Sequence, residues 1–193
     1  MQRILIIALS VFILVSCSVP ETRIYNLYIP AEKTESAKTG DLPVALVVHS
    51  PKHLAQPYIT SRNSPYQIDI SMYSKWDTAP DNIVRDAFRD SLSAAGLFKE
   101  IRTSSHVLNG VHTLVINLKK FERSYAADVP YGEILLEAEF ISSDGNKLFA
   151  STIEKRVKLD DKAFLGLAKG LSSALSEGIA EVRAGIIKAL GAK

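Results

Sequence analysis

The apolar residues in the middle of the chain follow the patterns of β-strands. Residues 42–49 form a continuous, β-branched apolar run, which is typical of a strand buried on both faces. Residues 66–74 alternate instead, with Ile68, Ile70 and Met72 on one face and polar residues on the other. The two segments predict a fully buried strand and a half-buried strand whose apolar face is turned to the core.

Three longer segments in the second half of the chain also read as strands. They cover residues 111–122, 133–143 and 147–159, and the sequence Ser-Asp-Gly-Asn between the last two is a hairpin-turn signal. In the middle segment Glu137 and Glu139 alternate with large apolar residues, so we expect both carboxylates to face water. These segments predict a three-strand meander.

Two segments change to a helical period. Val84, Phe88 and Leu92 recur at helical spacing, with Thr78 in position to cap the start and Gly96 in position to end the helix in a left-handed conformation. A second apolar stripe begins near residue 160 and continues to about residue 190. The sequence therefore predicts one amphipathic helix and one long C-terminal helix.

This order of elements predicts an α/β fold. We expect a single mixed β-sheet of about five strands, packed by the amphipathic helix and the long C-terminal helix. A crossover through the first helix predicts that the strands before and after it are parallel. A strand-like segment at residues 24–29 precedes a polar stretch, residues 30–41, that has no apolar period and is interpreted as a linker or loop.

The N-terminus carries a different pattern. Arg3 precedes an apolar run from Ile4 to Val15 that is too short to span a bilayer, which takes roughly 20 apolar residues. The run suits the apolar region of a secretory signal peptide. The sequence Leu-Val-Ser-Cys that follows ends at Cys17, the one cysteine of the chain, and resembles a bacterial lipobox.

The lipobox resemblance implies cleavage before Cys17 and acylation of its sulfur and its new amino group. Two or more acyl chains anchor a protein stably. Ser18, in place of aspartate, implies delivery to the outer membrane with the protein facing the periplasm. The predicted division of the chain is then a signal peptide at 1–16, a lipidated spacer with a short strand and flexible linker at 17–41, and an α/β domain at 42–193. An ordinary signal peptide with an incidental cysteine is the alternative.

Composition narrows the classes of function. An apolar fraction of 47% supports a core, and a formal net charge of +2 without a basic run gives no sign of nucleic-acid binding. His49 and His53 have no acidic or cysteine partner at metal-ligand spacing, and no nucleophile or phosphate-loop motif is present. We therefore predict a protein without catalytic residues, metal or cofactor.

Three apolar side chains stand out between the first and second of the three longer strand segments. Tyr125, Val129 and Tyr131 lie in the sequence "SYAADVPYG", interpreted as a connecting loop. Exposed aromatic and aliphatic residues suit partner binding or lipid contact, whereas packing back onto the sheet is an equally reasonable role.

A stripe of small residues runs along the final helix. Gly166, Gly170, Ala174 and Gly178 recur at every fourth position, which permits close approach of another backbone. The stripe packs either on the sheet of its own chain or, less conventionally, on a second subunit. Homo-oligomerisation is therefore one of the open alternatives.

The ordered set of motifs resembles the ABC-type transport auxiliary lipoprotein family. The set consists of the lipobox, "IYNLYI", "LPVALVVHSPKHLAQPYITSR", Trp76, the "DGNKLF" turn and the long final helix. The resemblance implies a non-enzymatic lipoprotein that docks an MCE-domain periplasmic protein and its ABC transporter to the outer membrane, in envelope lipid transport. The alternatives are a lipid-binding carrier and an envelope-assembly lipoprotein, such as a cell-wall enzyme activator or a secretion pilot.

Overall fold

The computed structural model describes residues 21–30 and 42–191. A short 3-10 turn, Lys52–Ala55, joins the second and third strands. In chain order, the strands and helices are β1 Arg23–Tyr25, β2 Pro43–His49, β3 Tyr58–Ser64, β4 Gln67–Trp76, α1 Pro80–Ala94, β5 Glu100–Ser104, β6 His112–Ala126, β7 Val129–Ile141, β8 Lys147–Lys158 and α2 Phe164–Gly191.

The strands form one mixed sheet that forks at β6. One edge of β6 pairs in parallel with β2 along its first half and with β3 along its second half, whereas its other edge pairs antiparallel with β7. β5 extends the branch of β2, β4 and β1 extend the branch of β3, and β8 completes the meander. The α/β class, the mixed sheet and the long last helix are confirmed.

The predicted number of about five strands is wrong, because the sheet has eight. The strands beyond the five longer predicted segments include β1, at the start of the strand-like segment predicted at 24–29, and β5; they are three and five residues long and mostly exposed. Segments this short carry no apolar period of their own, and only pairing with β4 and β2 orders them.

The prediction of parallel strands on either side of α1 is also wrong. β4 runs antiparallel to β3, whereas β5, β2, β6 and β3 all run in one direction. α1 therefore joins two antiparallel strands. The β3–β4 hairpin reverses the chain before the helix begins, which sequence spacing does not reveal.

Both helices lie on one face of the sheet and bury their apolar stripes in a single core. Val84, Phe88 and Leu92 of α1 are buried as their spacing predicts, and Gly96 has the expected left-handed conformation with φ of 61°. The predicted Thr78 cap is wrong, since the N-cap is Ala79 without a side-chain hydrogen bond and Pro80 opens the helix.

β4 departs most from its prediction. Ile70 is 49% exposed and Met72 is 76% exposed, so the face assigned to the core is open to solvent at both positions. The cause is a bulge: Tyr58 pairs with Lys75, but two residues later Thr60 pairs with Ile70, five residues earlier in β4. The extra residues reverse the alternation between the two ends of the strand.

Candidate functional site

Four chain segments meet at one end of the sheet. β3 and β6 are parallel and in register at Arg62 and Ser124, so the β3–β4 turn and the β6–β7 turn lie side by side. β8 ends opposite Tyr131, which brings the connection to α2 to the same end. β1 is parallel to β4, so Glu21 and Thr22, which precede β1, lie on the side of this end. We call this region the hairpin end.

The loop predicted around Tyr125, Val129 and Tyr131 is wrong. All three residues lie in strands, and only Ala127 and Asp128 form the turn between β6 and β7. Ala126 pairs with Val129 and Ser124 with Tyr131, whereas Tyr125 pairs with Pro130. Val129 and Tyr131 therefore share one face of the hairpin, and Tyr125 lies on the other.

Each tyrosine of this hairpin is half-buried under a cation. The guanidinium carbon of Arg156 lies 4.1 Å from the centre of the Tyr131 ring. On the other face, the guanidinium carbon of Arg123 lies 5.6 Å from the centre of the Tyr125 ring and 4.7 Å from the centre of the Phe164 ring. Arg123 also donates a 2.6 Å hydrogen bond to the carbonyl of Lys162. These contacts connect β6 to the start of α2 and hold the tyrosines against the domain.

A charge cluster that the sequence analysis missed lies on the face without helices. Glu122 and Glu133 are directly opposite each other on β6 and β7, and each is at least nine-tenths buried. Arg62 donates two hydrogen bonds to Glu122, at 2.6 and 3.2 Å, and Lys120 donates one to Glu133 at 2.5 Å. Like charges placed opposite each other are destabilising, so the two cations are needed to hold the carboxylates together.

The cluster shifts the pKa values of two of its members. Burial raises the pKa of Glu133, but the hydrogen bond from Lys120 and the charges of Lys120 and Arg156 outweigh burial, and the pKa lies below its ordinary value. The hydrogen bond to Glu122 raises the pKa of Arg62. Both shifts favour the ionised forms of Glu133 and Arg62. No pattern in the sequence indicated this charge cluster, because only the register of the strands brings its residues together.

The small-residue stripe of α2 packs against the sheet of its own chain at Gly170 and Gly178. Gly170 is buried, and a Cβ added there would lie 2.6 Å from the Leu159 side chain, while one added at Gly178 would lie 3.1 Å from Ile153. Gly166 is half-buried beside Asp161. Of the two roles predicted for the stripe, the structure shows packing on the sheet of its own chain. Contact with a second subunit stays a prediction.

The segment after β1 crosses between the two helices. Its Tyr28 amide donates a hydrogen bond to Ser172 of α2, and Leu27 and Ile29 pack against the core. A cleft of about 240 Å³ lies between this segment and α1. Asp77, Asp86 and Asp90 line it together with apolar residues such as Leu27 and Ile83, so the lining is mixed acidic and apolar.

The described part of the chain supplies no constellation for metal or transmembrane chemistry. Within residues 21–30 and 42–191, no group of three or more histidine, cysteine, aspartate or glutamate side chains could hold a metal ion. No helix of the same residues has the length and apolarity needed to cross a membrane. The predicted lipidation residue, Cys17, lies outside the described residues.

The fold and the hairpin end define a small α/β domain with a packed core, paired buried charges and apolar side chains concentrated at one end and one edge. The sequence matches the model of the family described as "ABC-type transport auxiliary lipoprotein component" over residues 25–182, and the chain belongs to this family. The resemblance noted from the ordered motifs is thereby confirmed.

Two solved structures share the fold. One is a Xanthomonas campestris protein assigned to DUF330, with a TM-score of 0.75 and 16% sequence identity, over 86% of this chain and 95% of that chain. The other is an uncharacterized protein with a TM-score of 0.67 and 18% identity, over 86% of this chain and 99% of that chain. At this identity the likeness concerns the fold alone. No curated protein matches the sequence.

Proposed function

We propose that this protein is an outer-membrane lipoprotein, anchored through Cys17, that docks an MCE-domain periplasmic protein and its ABC transporter to the membrane. The family match over residues 25–182 is the observation that carries the proposal, because the family consists of lipoprotein components of ABC-type transport systems. The lipobox sequence before Cys17 supports the anchor. On this view the chain contributes by binding proteins and takes part in envelope lipid trafficking without catalysing a reaction.

The interior of the domain favours docking over the carrier alternative. The space between the sheet and the helices is filled by side chains of the core. The cleft beside α1 has three aspartates in its lining, and the depressions of about 440 Å³ near His49 and about 400 Å³ beside Tyr28 are open to solvent and would leave a lipid tail largely uncovered. Sites for apolar ligands are concave and mostly apolar, and they cover most of the ligand surface.

We propose the β6–β7 hairpin as a partner contact, with Val129 and Tyr131 on one face. Tyrosine is enriched in interface cores, and the Tyr131 ring is held in place by Arg156. Asp128 at the turn gives this site a charge as well as apolar surface. A contact through Gly166 and Gly170 to a second subunit is retained as a separate proposal.

Affinity capture of the full-length protein from solubilised membranes tests this function. Wild type and Val107→Asp, a control in the β5–β6 connection, should recover an MCE-domain protein, whereas Val129→Asp should recover several-fold less. Val107 is exposed and Val129 is half-buried, so the control introduces the same charge at the same type of residue but at a more exposed position. Recovery of cell-wall enzymes without any MCE-domain protein would support the envelope-assembly alternative and contradict docking.

The carrier alternative has its own measurement. Lipid extraction from the purified protein followed by mass spectrometry should find the acyl chains of the anchor but no stoichiometric phospholipid. Phospholipid at one molecule per chain would instead identify a carrier.

A further inference from the structure

The exposed apolar side chains of the domain are concentrated on one edge of the sheet. Of the eight large apolar residues that are exposed within residues 21–30 and 42–191, five belong to β1, β4 or the turn that precedes β4. We call these five residues the apolar ridge: Ile24, Tyr66, Ile70, Met72 and Tyr73. Such clustering of exposed apolar groups marks a contact surface.

The β4 bulge produces the centre of the ridge. The backbone amide of Ser74 donates a hydrogen bond to the Ser71 hydroxyl at 3.1 Å, which closes the bulge. Met72 and Tyr73 project from it with 76% and 44% of their surfaces exposed. Tyr66, in the uncharged β3–β4 turn, is 95% exposed. The bulge therefore holds Met72 and Tyr73 out of the core, and the turn does the same for Tyr66.

The length of the tether limits how far the ridge can lie from the membrane. Ile24 and Tyr58 are both opposite Lys75, so they lie at the same height along the sheet. From Tyr58 to the end of β3 at Ser64 is six residues, or roughly 20 Å. From Ile24 back to Cys17 is seven residues, which span at most about 25 Å even when fully extended. An acylated Cys17 would therefore keep Ile24 within about 25 Å of the membrane surface, and with the strands pointing toward the bilayer the β3–β4 turn would lie within about 5 Å of it.

We propose that the apolar ridge contacts the bilayer and that Tyr66 and Met72 enter its headgroup region. The proposal rests on the anchoring through Cys17 that is part of the proposed function. The chemistry of the ridge suits this environment, because tyrosine prefers the membrane interface and isoleucine and methionine are apolar. Contact at the ridge orients the domain on the bilayer, with β8 and the far edge of the sheet turned away from it.

The charges along the ridge are compatible with a lipid surface. Arg23 and Lys75 flank it with positive charge beside Ile24. Asp69, the acidic residue within the hairpin, accepts hydrogen bonds from the amides of Asn63 at 2.8 Å and Gln67 at 2.7 Å. These hydrogen bonds hold the Asp69 carboxylate against the β3–β4 hairpin.

Spin labels on the full-length, lipidated protein in liposomes test the proposal. The chain has a single cysteine, which acylation would occupy, so Tyr66→Cys and Met72→Cys each introduce the one free thiol. Val107→Cys, an exposed site in the β5–β6 connection, is the matched control. The liposomes consist of phosphatidylethanolamine and phosphatidylglycerol. Flotation shows first that the protein is bound, and accessibility to oxygen and to a water-soluble nickel complex then reports the depth of each label.

We expect labels at positions 66 and 72 to be more accessible to oxygen than to nickel, and the label at 107 to show the reverse. A floating protein with all three labels open to nickel would overturn the ridge proposal and leave the anchor intact. Labels at 66 and 72 shielded from both reagents would also overturn it and indicate coverage by protein, such as a second copy. A wild-type protein that does not float would overturn both the anchor and the ridge contact.

Discussion

The β6–β7 turn is built from two residues that hold an unfavourable backbone conformation. Ala127 has φ of 47° and Asp128 has φ of 64°. A two-residue hairpin with both central residues at positive φ is a type I′ turn, which favours glycine or asparagine. Ala127 therefore carries conformational strain at a proposed partner contact, and this strain is a property of the residue rather than of the packing around it.

Replacing Ala127 with glycine should relieve that strain. We expect Ala127→Gly to raise the free energy of unfolding by about 0.5–1 kcal/mol, because glycine adopts positive φ without a Cβ penalty. Denaturant unfolding measures the change. Ala126→Gly is the control: Ala126 lies at the end of β6, where glycine should destabilise by roughly 0.5–1 kcal/mol. Equal effects of the two variants would contradict the turn assignment.

The buried charge cluster predicts a loss of stability in acid. Because the folded-state pKa of Glu133 lies below its ordinary value of 4.5, its ionised form stabilises the fold above that pH. The contribution is lost as pH falls from the ordinary value through the folded-state pKa. Glu122, Arg62, Lys120 and Arg156 surround the same carboxylate.

Unfolding free energies measured from pH 7 to pH 3 test this assignment. Glu133→Gln should reduce the steepness of the decrease below pH 4.5, since its side chain does not titrate. The control is Glu100→Gln, whose carboxylate pairs with Arg102 on the surface and is fully exposed, so that its loss should matter little. If the unfolding free energy of Glu133→Gln fell as steeply below pH 4.5 as that of wild type, Glu133 would not be the source of the acid destabilisation.

Among the secondary-structure elements, α2 packs closely on the sheet at glycines, where any side chain would meet a neighbour. A Cβ added at Gly185 would collide with the Phe149 ring of β8. Alanine has a higher helix propensity than glycine by about 1 kcal/mol, but displacing a packed ring typically costs 1–3 kcal/mol. The close packing of helix on strand, rather than helix propensity, therefore decides which residue is tolerated.

Gly185→Ala should lower the free energy of unfolding by up to about 2 kcal/mol, as the difference between these two effects. Thermal and denaturant unfolding provide the measurement. Gly191→Ala at the end of the same helix has no atom within 4 Å of its added Cβ, and we expect it to be neutral or slightly stabilising. If Gly185→Ala were as stable as Gly191→Ala, α2 would not pack on β8 as described.

For the whole molecule, the proposed function makes attachment to the membrane depend on the sulfur of Cys17. Each acyl methylene buried in the bilayer contributes about 0.8 kcal/mol, and the described domain contains no helix that could replace the anchor. We expect Cys17→Ala to release the protein from the membrane fraction and to abolish incorporation of labelled palmitate, whereas Ser18→Ala should retain both. Palmitate in the Cys17→Ala protein would show that the lipobox interpretation is wrong.

The pattern within a single segment was sufficient to predict some of the secondary-structure elements. α1 was recognisable from its apolar spacing and from Gly96, and the strands of the meander from their alternation, because burial of one face imposes a period on each segment. The family was recognisable from the order of the motifs. Thr78 was misleading, because its side chain had capping chemistry but Pro80 determined where the helix begins.

The sequence by itself determined the α/β class, the two helices, the family and the expectation of an acylated N-terminus. Tertiary structure alone decided that β5 is a strand, that Ile70 and Met72 face solvent, and that Glu122 lies opposite Glu133 between two cations. The physical reason is that strand pairing joins residues far apart in the chain, and a bulge reverses which face each residue occupies. Neither effect leaves a period in the local sequence.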